Sequence, residues 1–160
     1  MKPILGLLFT ACASVSSFSQ ASDLVQARNQ HFAQPYQQAC QIRPTEFARY
    51  AGSADEATQH EVAFKQAFSH QFALNQHGEA YLQLATLRWD EKFIVMLNKD
   101  VAINIAKADV LATDIRNHHC EAQERVVHHF NTHEWGSYTL QIRGNRDQNI
   151  WLTIVPEEPF

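Results

Sequence analysis

The sequence predicts an α+β fold: a long amphipathic helix packed on an antiparallel β-sheet that ends in a C-terminal hairpin, with one disulfide. Three observations predict it. Ser53-Ala54-Asp55-Glu56 has the form of a capping box, in which a hydroxyl and a carboxylate three residues on satisfy the N–H groups that a helix start leaves orphaned. Ala57, Phe64, Phe68 and Phe72 follow at helical spacing. Near the other end, Tyr138, Leu140 and Ile142 alternate with Thr139, Gln141 and Arg143, and residues 150–155 alternate again, the period-two pattern of strands with one buried face. The third observation is the pair Cys40 and Cys120, the two cysteines left once an N-terminal export signal is removed. An even pair in an oxidising compartment reads as a disulfide, because no cytosolic reductant maintains the thiols there.

Residues 1–21 carry one cation, Lys2, then an apolar run over residues 4–15 broken by Gly6, Thr10 and Ser14, then small residues up to Ser19-Gln20-Ala21. This is the pattern of a cleaved secretory signal peptide, with Ser19 and Ala21 supplying the small side chains expected before the cut. The apolar run of about a dozen residues is short of the roughly 20 that cross a bilayer as a helix, so no permanent membrane span is expected. A second reading takes Phe9-Thr10-Ala11-Cys12 as a loose lipobox, with Cys12 the lipidated first residue of an outer-membrane lipoprotein. Residues 22–160 then form a single exported α+β domain, and the expected location is the periplasm of a Gram-negative bacterium.

In the mature chain, Ser22 or Asp23 caps a helix over residues 24–33, with Val25 and Phe32 on one stripe and Pro35 interrupting it. Pro44 starts a turn through Phe47 and Tyr50 that Gly52 closes. The capping box then opens a helix of about 22 residues that Gly78 terminates. Residues 81–89 and 93–97 read as a hairpin around Asp90-Glu91-Lys92, and residues 101–105 as a third strand after Asn98-Lys99-Asp100. Residues 108–127 admit two readings: Leu111, Ile115, Ala122 and Val126 fit a helix, which is preferred, while residues 125–130 also fit a strand. Residues 138–143 and 150–155 form the terminal hairpin around Gly144-Asn145-Arg146-Asp147, and Pro156 and Pro159 end it.

An apolar share of 45% with 19% charged residues excludes a disordered polymer and a membrane bundle, and a net charge of −4 excludes the basic field of a nucleic-acid binder. No nucleophile elbow, phosphate loop or dinucleotide fingerprint is present, so no reaction is named. Asp90 with Glu91, and Glu157 with Glu158, read as solvated charge. Chemistry concentrates in histidine, a proton switch near neutral pH and a common metal ligand. Five of the nine, His118, His119, His128, His129 and His133, fall close together beside Cys120, which suits a periplasmic Zn or Cu site, although no cofactor is required. His129 and His133 do not form a zincin motif, since the general-base Glu is not between them. Loss of Lys2 with the signal takes the charge to −5, and protonating all nine His would carry it to +4, which makes a pH-responsive protein a third reading. Trp135, Tyr138 and Trp151 suit an interaction surface, with Trp151 out of phase with Ile150, Leu152 and Ile154. The function expected is that of a small non-enzymatic binding or accessory protein acting through a protein or small-ligand surface.

Overall fold

Alternating side chains on ten strands build two sheets in residues 17–46, 50–120 and 125–158, the part of the chain that the structure, a computed structural model, describes. The larger sheet runs β1 (Thr45–Glu46), β3 (Phe68–Ala73), β10 (Asn149–Pro156), β5 (Glu91–Leu97), β8 (Arg125–Thr132), β7 (Asp109–Asn117). The smaller runs β2 (Glu61–Ala63), β4 (Glu79–Thr86), β9 (Gly136–Arg143), β6 (Ala102–Ile105). Neighbours are antiparallel except β1 with β3 and β2 with β4.

The sheets pack face to face. From the larger sheet Phe72, Phe93, Val95, Leu97, Phe130, Ile150, Leu152 and Ile154 meet Leu82, Leu84, Ile105, Leu140 and Ile142 of the smaller one. The period of two places successive β5 side chains on opposite faces, so Ile94 and Met96 point away from this core and join Ile115, Val127 and Val155 in a second one. That outer face is covered by α1 (Ser17–His31) and α2 (Ala33–Gln41), which with Phe32 between them bring Val25, Tyr36 and Ala39 onto it. The central strand β5 is therefore buried on both faces, which explains why residues 93–97 are apolar at every position. Pro35 is tolerated as the third residue of α2, where a missing N–H would have no intrahelical acceptor.

The fold is mostly β, and the long helix is absent. The capping box does form: Ser53 Oγ accepts from Glu56 N at 3.2 Å, and the Glu56 carboxylate accepts from Gly52 N at 2.8 Å. It caps a single turn, α3 (Ala54–Ala57), and Thr58 Oγ1 then donates to Asp55 O at 2.7 Å, closing the turn instead of extending it. Residues four apart share a face in a helix and in a strand alike, so the spacing of Phe64, Phe68 and Phe72 suits both. All three do enter the sandwich core, Phe68 and Phe72 from β3 and Phe64 from just after β2. Gly78 ends no helix. With φ of +73° it turns the chain between the sheets, where Asn75 Oδ1 accepts from the N–H of His77 and of Glu79.

The expected strands at 81–89, 93–97 and 101–105 are present as β4, β5 and β6, but β4 and β5 lie in different sheets and β6 pairs with β9. The C-terminal hairpin is likewise replaced: β9 pairs with β4 and β6, while β10 pairs with β3 and β5 across the core. Residues 109–117 form β7, not a helix, and among the described strands only β7 and β8 are neighbours in both sequence and sheet. A short loop between two alternating strands serves a hairpin or an arch between sheets equally well; here the arch lets two apolar faces cover each other, where a lone hairpin would leave them wet.

Cys40 and Cys120 form a disulfide, Cα atoms 5.3 Å apart, tying the end of α2 to the loop after β7. Residues 1–16, with the apolar run and Cys12, lie outside the described residues, as do Phe47, Glu121, Ala122, Glu124 and Pro159. The backbone of α1 continues through Ala21. Among the described residues no helix is long and apolar enough to cross a membrane.

Candidate functional site

The layer between the helices and the larger sheet collects the polar side chains of interest. On β8 the alternation turns Arg125, Val127 and His129 toward α2, and on β10 it turns Trp151, Thr153 and Val155 the same way. A groove opens at each end of α2. The one at its C-terminal end has a volume of about 790 Å3 and is walled by the disulfide, with Arg125, Trp151, His119 and Arg43 among its lining. The one at its N-terminal end, about 520 Å3, is lined in part by Arg28, Phe32, Lys92 and Glu157.

Arg125 is 8% exposed. Its Nη1 donates to the Ala39 carbonyl at 3.1 Å, answering one of the orphan acceptors in the last turn of α2, and its guanidinium lies 5.9 Å from the centre of the Trp151 ring. Burial lowers its pKa, and its Nε has no hydrogen-bond partner. Opposite it, His119 is held by its Nε2–H donating to Asn29 O at 2.9 Å, while Asn29 Oδ1 accepts from His118 N at 2.9 Å. Asn117 Nδ2 contacts both disulfide sulfurs, at 3.5 Å for Cys40 and 3.2 Å for Cys120. Polar contacts from α1 and β7 thus fix the rim of the first groove.

Beneath the second groove runs a buried relay. The Tyr36 hydroxyl donates to His129 Nε2 at 2.7 Å, and His129 Nδ1–H donates to Glu157 Oε1 at 2.5 Å. Carboxylate, imidazole and hydroxyl in this order are the parts that activate a nucleophile elsewhere. Here Tyr36 and His129 are 0% exposed, and burial raises the Tyr36 pKa far above that of a free phenol, the nearby Arg28 charge opposing weakly. A neutral phenol with no open side anchors; it pins the residues after β10 to α2.

The five clustered histidines are dispersed. His128 and His129 are adjacent on β8 and therefore face opposite sides of the sheet, His128 bonding Thr113 Oγ1 through Nδ1 at 2.8 Å on the side of Phe130. His118 is exposed and His119 lines the first groove. His133 sits on the surface between Asp90 and Asp109, at 3.3 and 2.7 Å, and these hydrogen bonds raise its pKa. Among the described residues no group of three His, Cys, Asp or Glu side chains is placed to hold a metal ion. Cys120 is taken by the disulfide.

The three aromatic residues separate too. Tyr138 is in the sandwich core with its hydroxyl donating to Glu134 O, Trp135 is 64% exposed in the turn before β9, and Trp151 is half-buried in the first groove. Tyr36, Arg43 and Arg125 carry no local signal that marks them, and Glu157, expected as solvated charge, is instead buried against His129; only the strand alternation, once the partner sheet is known, shows that Arg125 and Trp151 share the helix side. No protein-family model matches the chain, and no curated protein matches it.

Proposed function

We propose that the chain is a small exported, non-enzymatic binding protein that holds a small molecule in the groove at the C-terminal end of α2. The observation that carries this reading is the groove itself. Its volume of about 790 Å3 lies in the range of small-molecule sites, and an aromatic face sits beside converging polar groups. The covalent bridge in its wall limits the freedom of α2 against the sheet, so less ordering is left to be done on binding. A disulfide and a leader with the pattern of an export signal support a periplasmic location.

The test is to express the full chain in a Gram-negative host, recover it from the periplasmic fraction and record native and denaturing mass spectra. The expected denaturing mass corresponds to cleavage after Ala21 with the bridge intact. The expected native spectrum carries a small-molecule adduct that the Trp151→Ala variant loses. Retention in the cytoplasm would overturn the location, and a lipid mass on Cys12 would replace it by the outer membrane. An adduct-free spectrum would overturn the binding reading if, in addition, no periplasmic extract changes the Trp151 emission of a W89F/W135F variant.

A further inference from the structure

The floor of the first groove holds a charge that nothing among the described residues neutralises. Arg125 is more than nine-tenths buried, and among the described residues only its Nη1 is hydrogen-bonded to oxygen and no carboxylate pairs with it. The single carbonyl that answers it offers a partial charge against a full one. A desolvated guanidinium is ordinarily matched by an anion, because burial without one is strongly unfavourable. Arg43, on the loop after α2, also lines the groove and makes no ion pair among the described residues. His119, Gln37 and Gln41 add to its polar lining, and no Asp or Glu stands there among the described residues. In a chain of net charge −4 this is a local reversal. The groove at the other end of α2 lacks it, since Arg28 and Lys92 are accompanied there by Glu157 and Glu158.

We propose that this groove takes a small organic carboxylate, with the anionic oxygens on the guanidinium of Arg125, assisted by Arg43, and a flat apolar portion against Trp151. Arg is suited to this because its planar fork matches a carboxylate, and Trp offers a face to either a ring or a cation. The inference rests on the groove being the binding site.

The experiment uses the full chain carrying W89F/W135F, so that emission reports Trp151 alone, with three probes: 3-phenylpropionate, its neutral amide, and inorganic phosphate. The carboxylate is expected to change the emission saturably and to bind about tenfold more tightly than the amide, the usual scale for a hydrogen bond to a charged group. Arg125→Gln is expected to abolish that preference. Arg43→Gln, at an exposed position, is expected to weaken carboxylate binding and its dependence on salt, and keeps the inference testable should Arg125→Gln fail to fold. The E121Q/E124Q variant controls for neutralisation by carboxylates outside the described residues and should retain the preference; carboxylate binding seen only in that variant would overturn the inference. Amide binding equal to carboxylate would remove the anion and leave the groove. Phosphate binding as tight as the carboxylate would overturn the apolar half of the assignment. No response to the carboxylate at about 10 mM overturns the inference, and if the native protein also lacks an adduct, the reading of the groove falls with it.

Discussion

The disulfide spans 80 residues of sequence, and breaking it measures how far this sandwich depends on a cross-link. The perturbation is Cys40→Ser with Cys120→Ser. In the native state little changes, since Cys120 lies at the edge of the second core, Cys40 is half-buried, and the Asn117 amide beside both sulfurs keeps polar neighbours. In the unfolded state a constraint disappears. Closing a loop of this length removes about 15 cal/mol/K of chain entropy, or about 4.5 kcal/mol at 25 °C. Against a typical stability of about 5–15 kcal/mol for a small domain, that is between a third and nearly all of it. With an unfolding entropy of about 0.3 kcal/mol/K for a folded domain of roughly 140 residues, the melting temperature should fall by about 15 °C. The assay is guanidinium unfolding of the oxidised parent and the double variant followed by tryptophan emission, with thermal melts alongside. The denaturant slope should rise, because an unlinked unfolded chain exposes more surface. A loss below about 1.5 kcal/mol with an unchanged slope would refute the chain-entropy argument and show that the unfolded state is compact without the bridge.

Tyr36→Phe removes the donor to His129 Nε2 and leaves a fully buried acceptor unpaired, for an expected loss of about 1–3 kcal/mol in denaturant unfolding; no loss would mean the relay is not an anchor. Burial lowers the pKa of His70 and of His128, so the folded state binds fewer protons than the unfolded one as pH falls below about 6.5, and stability should decline there. His133 acts in the opposite sense, adding stability below the unfolded value and losing it as pH rises through its raised folded value. Melting curves between about pH 5 and 8 check both, with His128→Gln expected to flatten the decline and His133→Gln to steepen it. Gly78→Ala should destabilise by more than about 1 kcal/mol, because φ is +73° and the added Cβ would meet the Gly144 carbonyl oxygen at 2.2 Å; a neutral result in denaturant unfolding would show that this turn yields.

By itself the sequence determined the strands at 93–97, 138–143 and 150–155, the core-facing stripe of Phe64, Phe68 and Phe72, and the partners in the disulfide. Alternation marks a strand and its buried face over a few residues, and with Cys12 assigned to the expected leader the other two of the three cysteines have one pairing left. The capping box at Ser53 was legible for the same reason, but how far the helix ran after it was not, since residues four apart share a face in either structure. Only the tertiary structure decided that Phe64, Phe68 and Phe72 serve strands and their connections, that β9 and β10 face each other across the core instead of pairing, and that residues 109–117 are β. The candidate site was the least legible part. Arg43, Arg125 and Trp151 meet because α2 is laid along one face of the larger sheet, and Tyr36 finds His129 and Glu157 from positions far apart in the chain. Local patterns record which side of an element must be buried; which two buried sides meet depends on closing the whole sandwich, a choice made by packing between segments that no single stretch of sequence contains.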